Sequence, residues 1–153
     1  MDALTDTASR TLQITRTFDA PRALLFKVWT QPEHMARWWG CNYMVTNKVT
    51  NDLRVGGAFR SEMTLEDGKK HVVIGQYLEI SAPERLSFTW GWEGGAMGTE
   101  TVVTLTLKEQ GDKTVMTLHQ TLFDSVDLCT AHNEGWNASF NRLAEHLADY
   151  ATD

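Results

Sequence analysis

Asp127–Tyr150, DLCTAHNEGWNASFNRLAEHLADY, decides the fold of this chain. Trp136, Phe140, Leu143, Leu147 and Tyr150 recur at the 3.6-residue spacing of a helix with one apolar stripe. His132 falls on the same stripe, four residues before Trp136. Asp127 is placed to cap the helix N-terminus. Gly135 sits inside the helix, where glycine costs about 1 kcal/mol relative to alanine. A glycine kept there lets another group approach the backbone closely.

Such a helix needs an apolar surface to lie on, and the upstream chain alternates as strands do. RTLQITRTF (Arg10–Phe18) puts Leu12, Ile14 and Phe18 on one parity, with Arg16 among them. Tyr43–Leu65 holds two strands joined near Gly56–Gly57, with Phe59 and Met63 on one face of the second. Asp67-Gly68 signals a hairpin into HVVIGQYLEI, and SAPE turns the chain again. On the next strand Leu86, Phe88, Trp90 and Trp92 share one parity. The glycine-rich GGAMG follows, read either as an ordinary hairpin connection or as a cavity lid. Val103, Leu105 and Leu107, then Met116, Leu118, Gln120 and Leu122, line the faces of the last two strands.

Two short helices interrupt this pattern after the first strand. Asp19 and Pro21 suit the start of DAPRALLFKVWT, whose Leu25, Val28 and Trp29 form a stripe. Pro32 opens a second helix through EHMARWW, and Gly40 ends it. The expected architecture is α+β: a curved antiparallel sheet of about six strands wrapped around the long C-terminal helix. Residues 1–9 read as a polar tail and 10–153 as a single domain.

Composition excludes several function classes. Of 153 residues, 14 are Lys or Arg and 20 are Asp or Glu, a net charge of −6. With no basic cluster, nucleic acid and anionic membrane surfaces are not expected partners. The polar start carries no apolar signal region, and no apolar run reaches the roughly 20 residues of a membrane span. Cys41 and Cys129 have no metal-like spacing, so free thiols in the cytoplasm are the expectation. No Ser/His/Asp order, nucleotide loop or metal set is present, so neither cofactor nor metal is expected.

The stretches TRTFDAPRALLFKVWTQPEHMARWWG, NDLRVGGAFR, GQYLEISAPERLSFTW, TVVTLTL and HNEGWNASFNRLAEHL, in this order, resemble the bacterial members of the family named after the activator of the Hsp90 ATPase. They run from about Thr15 to Leu147. That family is part of the START-like (SRPBCC) group, and the resemblance implies a helix-grip fold enclosing a cavity. It also implies a link to the stress response. At Gln120 a histidine would be expected from the resemblance; an amide has no useful pKa for proton transfer.

The candidate ligand-binding residues are Trp38, Trp39, Phe59, Met63, Phe88, Trp90, Trp92, Gln120, His132, Trp136 and Phe140. Tryptophans are more often core than pocket wall. Gln120 and His132 are polar groups on apolar faces, which either bond each other, the backbone or a water, or orient a ligand. His34 is expected at the surface, and Asp52, Arg54 and the adjacent glycines are read as turn structure. The resulting expectation is a domain that binds a small, mostly hydrophobic molecule, with no catalytic residue assigned. A cyclase- or aromatase-like enzyme using His132 in the same pocket is the alternative. An Hsp90-type chaperone partner ranks last, and a homodimer is compatible with the sequence.

Overall fold

The computed structural model describes residues 10–40, 44–95, 100–121 and 123–152. The expected tail at 1–9, Cys41, Leu122 and residues 96–98 of the glycine-rich connection lie outside them. Among the described residues there are seven strands: β1 (Leu12–Phe18), β2 (Met44–Asn51), β3 (Ala58–Leu65), β4 (Lys70–Ser81), β5 (Arg85–Trp92), β6 (Thr101–Gln110) and β7 (Lys113–Thr121). Helices α1 (Arg22–Thr30) and α2 (Pro32–Trp38) follow β1, and α3 (Val126–Thr152) ends the chain.

The strands form one antiparallel sheet in the order β1-β7-β6-β5-β4-β3-β2. It contains seven strands rather than about six. β1 joins β7 in unbroken register from Leu12↔Gln120 to Phe18↔Thr114, a pairing between distant segments that local pattern does not count. Register irregularities between Met44 and Thr46, and between Tyr77 and Glu79, strengthen local twist. The sheet thereby curls into a half-barrel around α3, the helix-grip arrangement.

The alternation read in the sequence is the burial pattern. Leu86, Phe88, Trp90, Val103, Leu105, Leu107, Met116 and Leu118 are all buried, as are Trp136, Phe140, Leu143 and Leu147 on α3. Between the layers lies an aromatic cluster. Trp29 stands 4.8 Å from Trp38 and 5.9 Å from Trp136, centroid to centroid, and Trp39 stacks on Trp90 at 5.3 Å. The Trp29–Trp38 pair is edge-on and the other two are stacked. Arg16 keeps the inward parity of β1 and reaches Asn141 on α3 at 3.0 Å, its guanidinium 5.5 Å from the Phe18 ring.

Two caps differ from expectation. α1 begins at Arg22 with Pro21 as its N-cap, whose carbonyl accepts from Leu24 and Leu25; Asp19 lies two residues too early to cap. On α3 the capping oxygen is Ser125 Oγ, which accepts from the Leu128 amide at 3.1 Å. Asp127 stands one residue inside, where its charge still favours the positive helix end.

Candidate functional site

The segment Trp38-Trp39-Gly40 closes one side of the gap between helix and sheet, and three side chains clamp it. α2 ends at Trp38, leaving carbonyls without helical partners. Arg142 Nε donates to Trp38 O at 3.0 Å, and its Nη2 donates to Gly40 O. Asn47 Nδ2 on β2 donates to Trp39 O at 2.9 Å. Ser139 Oγ donates to Gly40 O at 2.6 Å and accepts from Gly40 N at 3.2 Å. Gly40 has φ +143°, a conformation open to glycine, which lets the chain leave the helix sharply toward β2. Trp38 Nε1 donates to Val28 O at 2.9 Å, joining α2 to α1.

A pocket of about 330 Å³ lies between α3 and the inner face of the sheet. Trp39, Trp90, Trp92 and Trp136 form its aromatic side, with Met63 and Leu65 from β3. α3 contributes Ala131, His132, Glu134, Gly135 and Ser139, β4 contributes His71, and Gly40 borders the clamped segment. A Cβ built on Gly135 meets nothing within 4 Å, so this helical glycine opens onto empty space. Small residues at 131, 135 and 139 keep that face of the helix low, and the pocket occupies the room they leave.

Gln120 and His132 are satisfied within the protein. Gln120 Oε1 accepts from Trp136 Nε1 at 2.8 Å, and Gln120 Nε2 donates to Thr101 Oγ1 at 2.8 Å. His132 Nε2 accepts from Trp92 Nε1 at 2.9 Å. An indole N–H only donates, so that nitrogen is unprotonated and the ring proton sits on Nδ1, donated to Leu128 O at 2.7 Å. Burial pushes the His132 imidazole below the ordinary histidine range, opposed by the Leu128 bond.

Of the residues picked out in the sequence, the structure brings Trp39, Met63, Trp90, Trp92, His132 and Trp136 to the pocket wall. Trp38, Phe59, Phe88, Gln120 and Phe140 lie behind it in the packed core. Trp38 points back to α1, Phe59 and Phe88 pack edge-on against each other at 5.3 Å, and Phe140 stacks on Trp136 at 5.6 Å. The sequence reading did not single out Leu65, His71, Ala131, Glu134 or Ser139 as pocket residues. Ala131 and Ser139 were findable, since each is four residues from Gly135 and shares its face.

His34 is not a free surface residue: its Nδ1 lies 3.0 Å from Nε2 of His146, which is only 7% exposed. Burial lowers both imidazoles, His146 further through His34 and Arg37 against Asp149, and His34 further through Lys27 and Arg37 against Glu33. Asp52 and Arg54 pair at 2.6 Å on the surface turn before Gly56, away from the pocket. Among the described residues no group of three or more His, Cys, Asp and Glu is placed to hold a metal. No helix of the described residues is long and apolar enough to cross a membrane.

A curled sheet gripping one long helix, with a pocket between them, defines a helix-grip domain of the START-like kind. The chain belongs to the family described as activator of Hsp90 ATPase homolog 1-like protein, whose model matches residues 19–148. It is 26% identical to the AHSA1 protein from Silicibacter pomeroyi, over 90% of this chain and 97% of that one, with a TM-score of 0.77. A protein from Arthrobacter aurescens is also 26% identical, covering 94% and 89% of the two chains at a TM-score of 0.79. A Nitrosomonas europaea protein, 21% identical, shares the fold over the full length of both chains with a TM-score of 0.79. Among curated proteins the sequence has no significant match.

Proposed function

We propose that this domain binds a small, mostly apolar molecule in the pocket between α3 and the sheet. The observation that carries this reading is Gly135. It keeps a glycine in the middle of a 27-residue helix, at a cost near 1 kcal/mol relative to alanine, and opens onto empty space among four tryptophans. A purely structural helix gains by filling such a position; a binding helix gains by leaving it vacant. The pocket volume falls at the lower end of the range for small-molecule sites, and its wall is mainly aromatic and aliphatic, as such sites are. His132 has both ring nitrogens engaged within the protein, which supports a binding role over proton transfer.

Native mass spectrometry of freshly purified protein, followed by denaturing extraction, is one test. An extra discrete mass lost on denaturation is expected. The second test is calorimetric titration with the neutral probe 4-phenylbutan-1-ol, using the wild type and Gly135→Leu. Binding by the wild type and its loss in the folded variant are expected. Failure of the probe to bind the wild type, or equal binding by the variant, sinks the reading.

A further inference from the structure

We infer that the pocket selects organic cations: molecules with an apolar, flat body and a positively charged amino or ammonium group. The inference rests on the binding role proposed above and concerns the charge of what is bound there.

The argument begins with which polar groups remain available. Ser139 and His132 line the pocket, but their polar atoms are engaged with Gly40, Trp92 and Leu128. The indole N–H groups of Trp39 and Trp90 also lack partners but carry almost no accessible surface, so among the described residues the polar side chains open to the pocket are Glu134 and His71. Among the described residues neither has a hydrogen-bond or ion-pair partner, and His71 makes only an edge-on ring contact with Trp92 at 6.0 Å. Glu134 is exposed at the mouth while its helix neighbours Gly135 and Trp136 border the interior. A carboxylate accepts hydrogen bonds and attracts positive charge.

Among the described residues no lysine or arginine lines the pocket. Lys70, next to His71 in sequence, is held by Glu62 at 2.9 Å, and Arg142 is spent on Trp38 and Gly40. A bound carboxylate or phosphate would therefore enter a site with a free anion at its mouth and no cation to meet it. The walls point the same way. Indole is the best aromatic partner for a cation held over its face, more so where water is excluded. Trp90 and Trp92 stand at 88° to each other and His71 at 90° to Trp92, so the walls offer rings in more than one orientation. An apolar cation would place its body against the tryptophans and Met63 and its charge toward Glu134.

Three probes of matched length test this by calorimetry: 4-phenylbutylamine, 4-phenylbutan-1-ol and 4-phenylbutyrate, at pH 7.5. The amine is expected to bind about tenfold more tightly than the alcohol, the order of a cation–π contact with an ion pair at the rim. The carboxylate is expected to bind most weakly. Glu134→Gln should lower the ratio of amine to alcohol affinity toward one, because it removes the charge at the rim and keeps the side chain's size. If the alcohol binds and the carboxylate matches or exceeds the amine, the cation assignment is overturned while the pocket stands. An amine-to-alcohol ratio unmoved by Glu134→Gln overturns it equally. If none of the three binds, the pocket reading fails and this inference with it.

Discussion

Trp92 Nε1 donates to His132 Nε2 at 2.9 Å, and this one bond sets the tautomer and charge of the imidazole beside the pocket. The bond needs a bare nitrogen, because a protonated imidazole offers two donors to a partner that can only donate. Wall geometry and protonation are thus coupled.

His132 is expected to be neutral at pH 7 with its proton on Nδ1. Nitrogen-detected NMR should show that tautomer and a titration midpoint below the ordinary 6.5, since burial penalises the charged form. A midpoint above 6.5 would mean that the Trp92 bond is not formed in solution.

The His34–His146 pair predicts how stability depends on pH. Both imidazoles have folded-state values lowered from 6.5. Below 6.5 the unfolded chain therefore binds more protons than the folded one. The stabilisation is fully present above 6.5 and declines as pH falls toward the lowered folded values. Urea unfolding between pH 7.5 and 5 should show this decline, and the double variant His34→Gln/His146→Gln should flatten it. His132 contributes with the same sign, so part of the slope should persist.

Gly135→Ala should raise stability by up to about 1 kcal/mol, because alanine is the better helix former and its methyl enters open space. For a chain of this size that is a rise in Tm of roughly 2–4 °C. Calorimetric melting checks it, and a fall in Tm would show the space above Gly135 to be filled.

Gln120→Leu should destabilise by about 1–3 kcal/mol, since it leaves Trp136 Nε1 buried without an acceptor. Thr101 loses less, because its hydroxyl still donates to Trp90 O at 3.3 Å. Denaturant unfolding measures the difference.

Arg142→Met keeps an aliphatic stem but removes the donors to Trp38 O and Gly40 O. The expected loss is about 1–3 kcal/mol. Probe binding should weaken as well, because of the three clamping side chains Asn47 and Ser139 then remain on the Trp39–Gly40 wall. Stability lost with binding unchanged would separate the clamp from the pocket.

Much of this architecture is local in origin and so is legible residue by residue. Leu86, Phe88 and Trp90 alternate because a pleated strand shows every second side chain to the core, and Trp136, Phe140, Leu143 and Leu147 recur because a helix turns every 3.6 residues. Pro32 opens α2 because its ring fixes a helical φ, and Gly40 follows the end of α2 because it can take the positive φ that turns the chain away. The chain by itself therefore determined a curved antiparallel sheet, two early helices and one gripped helix, together with most of the aromatic pocket wall.

The division between wall and filler was decided by tertiary structure alone. Trp38 and Trp39 are adjacent and equally apolar, yet one donates to Val28 inside the core and the other borders the pocket. The difference comes from how the end of α2 packs: Trp38 turns back onto α1, while Trp39 meets Trp90 on the sheet and Trp136 on α3. The His34–His146 contact joins residues 112 positions apart, and β1 meets β7 across some hundred residues. Periodicity records which way a side chain faces on its own element. What it faces is set by packing between elements, which no local pattern encodes.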